Sequence, residues 1–175
     1  MYFLDLFPTV PKFITKLGVS KSKVIIGVAK LKNQIYVVYG SHDCEILVYE
    51  DQTPFHILKK IKLNEIYKPD DVASCNKEDC LYLTDSYGEC VWKIRRKRND
   101  NRLIADEWLT PIGQPYTLSV NGDGQLLMVK QERPFRLEMH DRDCRLLLVV
   151  LLPKDIHLPW HAVYKDTQWQ FYYSL

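Results

Sequence analysis

Apolar residues in this chain come in short alternating runs, broken by polar tips rich in Asn, Asp, Gly and Lys. "NQIYVVYG", "CLYLTDSYGECVWKI" and "GQLLMVK" are examples. A period of two predicts half-buried β-strands, and β-branched and aromatic side chains suit them. Eleven Tyr and six Phe strengthen the strand reading. No stretch carries a sustained helical period with caps at both ends. The pattern predicts an all-β chain.

The strands repeat. Pro, two residues, an apolar residue, a polar tip and an apolar strand recur as "PDDVASCNKEDCLYLTD" from Pro69, "PYTLSVNGDGQLLMVK" from Pro115 and "PWHAVYKDTQWQFYYS" from Pro159. A version without proline, "IIGVAKLKNQIYVVYG", begins at Ile25. A third strand follows as "CEILVYE" (44–50), "CVWKIRR" (90–96) and "FRLEMHD" (135–141), with Cys44 and Cys90 read as equivalent. A fourth follows as "FHILKKIKL" (55–63), "RLIADEWL" (102–109) and "CRLLLVVLL" (144–152). Four strands in roughly 45 residues is the signature of a β-propeller blade, which buries its faces by packing radially against other blades. The expected blades are 24–66, 67–112 and 113–156, with a half blade at 157–175 and closing strands "YFLDL" (2–6) and "KFITKL" (12–17) within 1–23. Two arrangements stay open: a four-bladed ring closed by the N-terminal strands, or a fragment of a larger propeller. The fragment is preferred, because four blades is the low end of the range and the last inner strand pair lacks outer partners. "RLLLVVLLP" (145–153) is expected to be buried on both faces, or to be an edge that another strand or chain covers.

Size, charge and cysteines narrow the function classes. A chain of 175 residues can bury a sizeable core in one domain. Its net charge of +2 gives no reason to expect a polyanion or membrane as partner. The five cysteines, Cys44, Cys75, Cys80, Cys90 and Cys144, form no CxxC pair, so buried reduced thiols and an intracellular, cytoplasmic location are expected. His157 and His161 flank Pro159 and are not expected to share a helical turn as metal ligands. The N-terminus does not read as a signal peptide, and no run reaches the ~18 apolar residues of a membrane span. No GxSxG, P-loop or HExxH is present.

"KPDDVA" followed by "LYLTDSYGECVWKI" resembles the NHL-repeat type of six-bladed β-propeller: a proline-bearing strand start, an Asp-Ser pair, a glycine tip and an alternating third strand. The second copy, "GQPYTLSVNGDGQLLMVK", has Lys130 where Asp is expected, and the first copy has Tyr39 or Gly40. The resemblance implies a non-enzymatic platform that recognises proteins. Its alternatives are an RNA-binding propeller and a calcium-dependent lactonase or esterase.

In that architecture, the loops between strands two and three and between blades line the binding face. Nine acids fall there: Asp43, Glu45, Glu65, Asp70, Asp71, Asp85, Glu89, Glu132 and Asp155. Four bases accompany them, Lys68, Lys130, Arg133 and Lys154, so the face leans acidic and RNA is disfavoured. His42, Asp43, Asp85, Tyr87, Arg133 and Trp160 are the candidate contacts for a protein partner. The basic run 93–102 gives weak nucleic-acid candidates, Arg95, Arg96, Lys97 and Arg98, and is read mainly as a solvated loop on the opposite face. No cofactor, metal or catalytic residue is expected. Self-association through an uncovered blade face is an open possibility. "VNGDGQ" (120–125) has the residues of a tight turn and lacks the spaced acids of a calcium loop. Asp85 is read as shaping the turn between two strands, and at most touching a partner.

Overall fold

A computed structural model describes residues 24–40, 43–52, 54–97, 102–109 and 113–156, and the backbone of 158–165 and 168–174. The expected strands at 2–6 and 12–17, and His42 and Arg98, lie outside these. All regular elements among the described residues are strands.

Three four-stranded antiparallel sheets follow one another in sequence. The first holds β1 (Val24–Leu31), β2 (Gln34–Gly40), β3 (Cys44–Glu50) and β4 (Ile57–Leu63). The second holds β5 (Pro69–Cys75), β6 (Cys80–Asp85), β7 (Cys90–Arg96) and β8 (Leu103–Leu109). The third holds β9 (Pro115–Val120), β10 (Leu126–Lys130), β11 (Arg136–His140) and β12 (Leu146–Leu151). A two-stranded sheet of β13 (Leu158–Lys165) and β14 (Gln168–Ser174) comes last. Each four-stranded sheet pairs its strands in chain order, and β1 lies against β5, β5 against β9 and β9 against β13. These are propeller blades with their first strands innermost.

Alternation along β6 shows why blades must stack. Leu81 and Leu83 belong to a core shared with Tyr36, Val38, Ile46 and Val48 of the first blade. Cys80 and Tyr82, the intervening positions, join Leu118, Leu126 and Met128 of the third blade. A central blade therefore buries both faces, and all six residues of β6 are buried. At ~25 cal/mol per Å² of apolar surface, such sandwiching is the main source of stability. Close approach at the inner strands needs small residues: a Cβ on Gly27 would sit 2.6 Å from Val72 Cγ1.

The first hairpin of every unit carries the same irregularity. Pairing skips one residue between Ile25 and Gly27, between Pro69 and Asp71, and between Pro159 and His161. In the third blade Pro115 pairs with Lys130 and Thr117 with Val129, leaving Tyr116 between. The extra residues are thus Ile26, Asp70, Tyr116 and Trp160, one per unit. This register makes Ile25, Pro69, Pro115 and Pro159 equivalent, as the repeat spacing predicts. It corrects one detail: Cys90 pairs with Asp85 and Glu45 with Tyr39, so Cys90 is level with Glu45, one place from Cys44.

Two hairpin turns have matching chemistry. Asn121 Oδ1 accepts from the amides of Asp123 and Gln125, and Gly124 has φ +81°. Asp141 Oδ1 accepts from Asp143 and Arg145, and Cys144 has φ 66°. "VNGDGQ" is a turn whose Asn oxygen is spent on its own backbone.

The outer rim departs from expectation. Leu146 to Leu151 of β12 are all exposed, between 37% and 65%, on the outside edge of the third sheet. The apolar run is an uncovered edge among the described residues and is not buried on both faces. The other two outer strands carry charge: Lys59, Lys60 and Lys62 on β4, Asp106 and Glu107 on β8.

Candidate functional site

The connector end of the second blade is built around one buried acid, Asp85, and two half-buried ones, Asp70 and Asp71. Asp85 is fully buried and accepts three backbone hydrogen bonds. Its Oδ2 takes Tyr67 N at 3.0 Å, and its Oδ1 takes Lys68 N at 3.2 Å and Gly88 N at 3.0 Å. One carboxylate thereby ties the link arriving from β4 to the tip between β6 and β7. Asp70 Oδ2 accepts from Ser86 N at 2.9 Å. Asp71 reaches the next blade, accepting from Leu118 N at 3.0 Å, and Thr84 Oγ1 donates to Tyr116 O at 2.8 Å. The "PDD" and "TDS" triplets are therefore fastenings within and between blades. Asp85 is withdrawn from the candidate partner contacts, because its carboxylate is buried and committed to backbone amides.

Burial pushes the thiols of Cys44 and Cys90 up to about 12, and the Asp85 charge adds to the effect. Both are inert thiols at neutral pH.

The other blades fill the Asp85 position differently. Tyr39 stands there in the first blade, buried, with its hydroxyl making no hydrogen bond among the described residues. Lys130 stands there in the third, 1% exposed, with Nζ 3.3 Å from Glu138 Oε1. Burial lowers the Lys130 pKa, against the opposing pull of Glu138. Burial alone would raise Glu138, but hydrogen bonds from His140 and Arg136 and the Lys130 charge outweigh it and hold the carboxyl at about 2. His140 Nε2 lies 3.2 Å from Glu138 Oε2, and Arg136 Nε donates to Oε1 at 2.8 Å. Lys130 is thus interior and is not a base of the binding face.

Above these fastenings lies a cleft of about 940 Å³, lined by Val24, Ile26, Gly40, Tyr67, Lys68, Pro69, Asp70, Tyr87 and Tyr116. Smaller clefts of about 260, 310 and 130 Å³ lie elsewhere among the described residues. Three extra residues of successive hairpins, Ile26, Asp70 and Tyr116, reach the same cleft. Bulges re-aim side chains, and here the repeat uses them to present a different residue from each blade. Tyr67 and Tyr87 are 59% and 75% exposed, with ring centroids 6.0 Å apart. The Asp85 hydrogen bonds hold the backbone of Tyr67 and Lys68 on one side and Gly88 on the other, so the buried acid sets the cleft wall.

Of the sequence candidates, Tyr87 is in this cleft. Trp160 occupies the extra-residue position of β13, level with Tyr116. Arg133 is elsewhere, exposed and 5.6 Å over the Phe135 ring, beside a smaller cleft with Pro153 and Lys154. Asp43 is exposed and paired with Lys62 at 2.8 Å. In the basic run, Arg95 Nε donates to Asp106 at 2.9 Å. Arg96 reaches across to the first blade, donating to Gln34 and to Tyr36 Oη. Arg96 is therefore an inter-blade clasp, and Lys97 is exposed.

The charge of the face also changes. Asp85 and Lys130 are interior, Glu45 is buried and paired with Lys60 at 3.0 Å, and Asp70 and Asp71 serve backbone amides. Five of the nine acids stay exposed, Asp43, Glu65, Glu89, Glu132 and Asp155, against the bases Lys68, Arg133 and Lys154, and the cleft itself sets three tyrosines beside Lys68 and Asp70. Sequence reading missed Tyr67, Tyr116 and Ile26. The signal was present for Tyr116: it follows Pro115 as Trp160 follows Pro159.

No family model matches the chain, and no curated protein matches it in sequence. Solved structures do match in shape. A protein from Lactobacillus plantarum superposes with a TM-score of 0.59 at 13% identity, over 80% of this chain and 45% of that one. A chain of the nidogen/laminin complex gives 0.57 at 17%, over 78% and 51%. A luciferin-regenerating enzyme gives 0.52 at 12%, over 83% and 67%. This chain spans about half the length of the first two. The neighbours are β-propellers of mixed function, and at these identities the likeness establishes the fold: the chain is built of β-propeller blades.

Proposed function

We propose that this chain is a non-enzymatic protein-interaction platform of the NHL-type propeller class, and that the cleft receives an extended, apolar or aromatic segment of its partner. The observation that carries this reading is the exposed Tyr67–Tyr87 pair on the cleft rim, held in place by the buried Asp85. Tyrosine offers large contact area at low entropic cost and is enriched among binding hot spots. The acids nearest the cleft are occupied by backbone amides, which argues against their serving as ligands of a catalytic cation.

The same pair favours RNA as the second reading. Spaced tyrosines beside Lys68 are a stacking platform for unpaired bases, and the face is less acidic than its sequence suggests. Selection from a displayed peptide library, run beside a gel shift with a random RNA pool, separates the two. The proposal expects enriched peptides that bind wild type and are lost on Tyr67→Ala with Tyr87→Ala. RNA retention lost on those substitutions, without peptide enrichment, would move the assignment to RNA. Ligands indifferent to both substitutions would remove the cleft from the function.

A further inference from the structure

The two cysteines that close the β5–β6 hairpin face each other. Cys75 pairs directly with Cys80 across the antiparallel ladder, and only residues 76–79 separate them. Residues opposed in this way project to one face of the sheet, and both thiols belong to the same packed cluster. Directly opposed Cα atoms in antiparallel ladders lie about 4.5 or 5.5 Å apart, and both values fall inside the ~4.4–6.8 Å span of disulfides. Among the described residues, no other two cysteines are register partners.

We propose that Cys75 and Cys80 are a dithiol that closes to a cross-strand disulfide, a modification site that locks the end of the second blade's first hairpin opposite the cleft. Lys93, which contacts the Tyr82 ring and pairs with Glu78, favours the Cys80 thiolate against burial, which raises its pKa to about 12. The closed hairpin therefore protects the thiols. Reaction follows opening of the tip, where Asn76 and Lys77 are exposed and Asp79 has φ 53°. The co-reactant is a low-molecular-weight disulfide. The Cys80 thiolate attacks it, forming a mixed disulfide and releasing one thiolate. The Cys75 thiolate then attacks the Cys80 sulfur and expels the second. Two protein thiols are oxidised, one disulfide is reduced to two thiols, and the two protons pass to the released thiolates.

The test equilibrates the full chain with glutathione redox buffers, quenches exchange with acid, blocks free thiols with an alkylating reagent under denaturing conditions, so that buried thiols also react, and maps the peptides by mass. The expected product lacks two hydrogens and links Cys75 to Cys80, with Cys44 and Cys90 still alkylated. Its formation should be favoured at least ~10-fold over the same equilibrium in urea, because the native register fixes the geometry. Cys75→Ala should abolish the bridge and leave Cys80 as a thiol or as its unresolved mixed disulfide with glutathione. Three results would overturn the proposal: both cysteines alkylated throughout the series, a bridge to Cys144 in place of Cys75, or equal bridging with and without urea.

Discussion

Replacing Asp85 with alanine removes the acceptor of three backbone amides at once, those of Tyr67, Lys68 and Gly88. An orphaned buried donor costs about 1–3 kcal/mol. These bonds are part-buried and all three donor residues are exposed, so water can reach the amides after a small shift. The low end, about 1 kcal/mol each, is appropriate, for a total near 3 kcal/mol. Removing a desolvated carboxylate gives some of that back, but three bonds to a charged acceptor outweigh it. Asp85→Asn keeps Oδ1, which holds Lys68 and Gly88, and turns an amide donor toward Tyr67 N, so it should cost about half as much, roughly 1–2 kcal/mol. With m near 2 kcal/mol/M, urea midpoints should fall by about 1.5 M for alanine and about 0.7 M for asparagine. An alanine variant within ~0.5 kcal/mol of wild type would refute the fastening role. So would an asparagine variant less stable than alanine.

Glu138 predicts an acid limb. Its folded carboxyl is held at about 2, below an ordinary value near ~4.3, so its contribution is present above pH ~4.3 and lost as pH falls toward 2. Unfolding free energies from urea titrations between pH 5 and 2 should fall by on the order of 3 kcal/mol more in wild type than in Glu138→Gln. At pH 7 that substitution should itself cost about 3 kcal/mol, because buried Lys130 loses its carboxylate. Gly27→Val should be among the worst single changes, since its Cβ already meets Val72, and circular dichroism melts should show a large loss of stability. Glu89 is exposed with φ 51°, so Glu89→Gly should be neutral or stabilising by up to ~1 kcal/mol in the same melts, and Glu89→Val destabilising.

The blade plan was legible because alternation and spacing are local properties of the chain. A bulge in every first hairpin was not, but the proline spacing already aligned the positions around it. Asp85 shows the limit of reading by residue type: an acid between strands looks available, and only the approach of the link at Tyr67 and Lys68 shows it to be consumed. Lys130 and Arg96 misled in the same way, because burial and cross-blade partners depend on radial packing. "LLLVVL" misled in the opposite sense, since an apolar strand is buried only where something covers it. Tyr67 was invisible because its value lies in a neighbour from another loop, Tyr87.

The most direct test of the cleft is the dissociation constant of a selected peptide, measured by calorimetry on wild type, on Tyr67→Ala with Tyr87→Ala, and on Arg95→Ala at the far end of the blade. Loss of a tyrosine hot spot costs about 2 kcal/mol or more, so the double variant should bind at least ~30-fold more weakly, with Arg95→Ala unchanged. A double variant that binds as tightly as wild type, or a loss matched by Arg95→Ala, would contradict the assignment of this face.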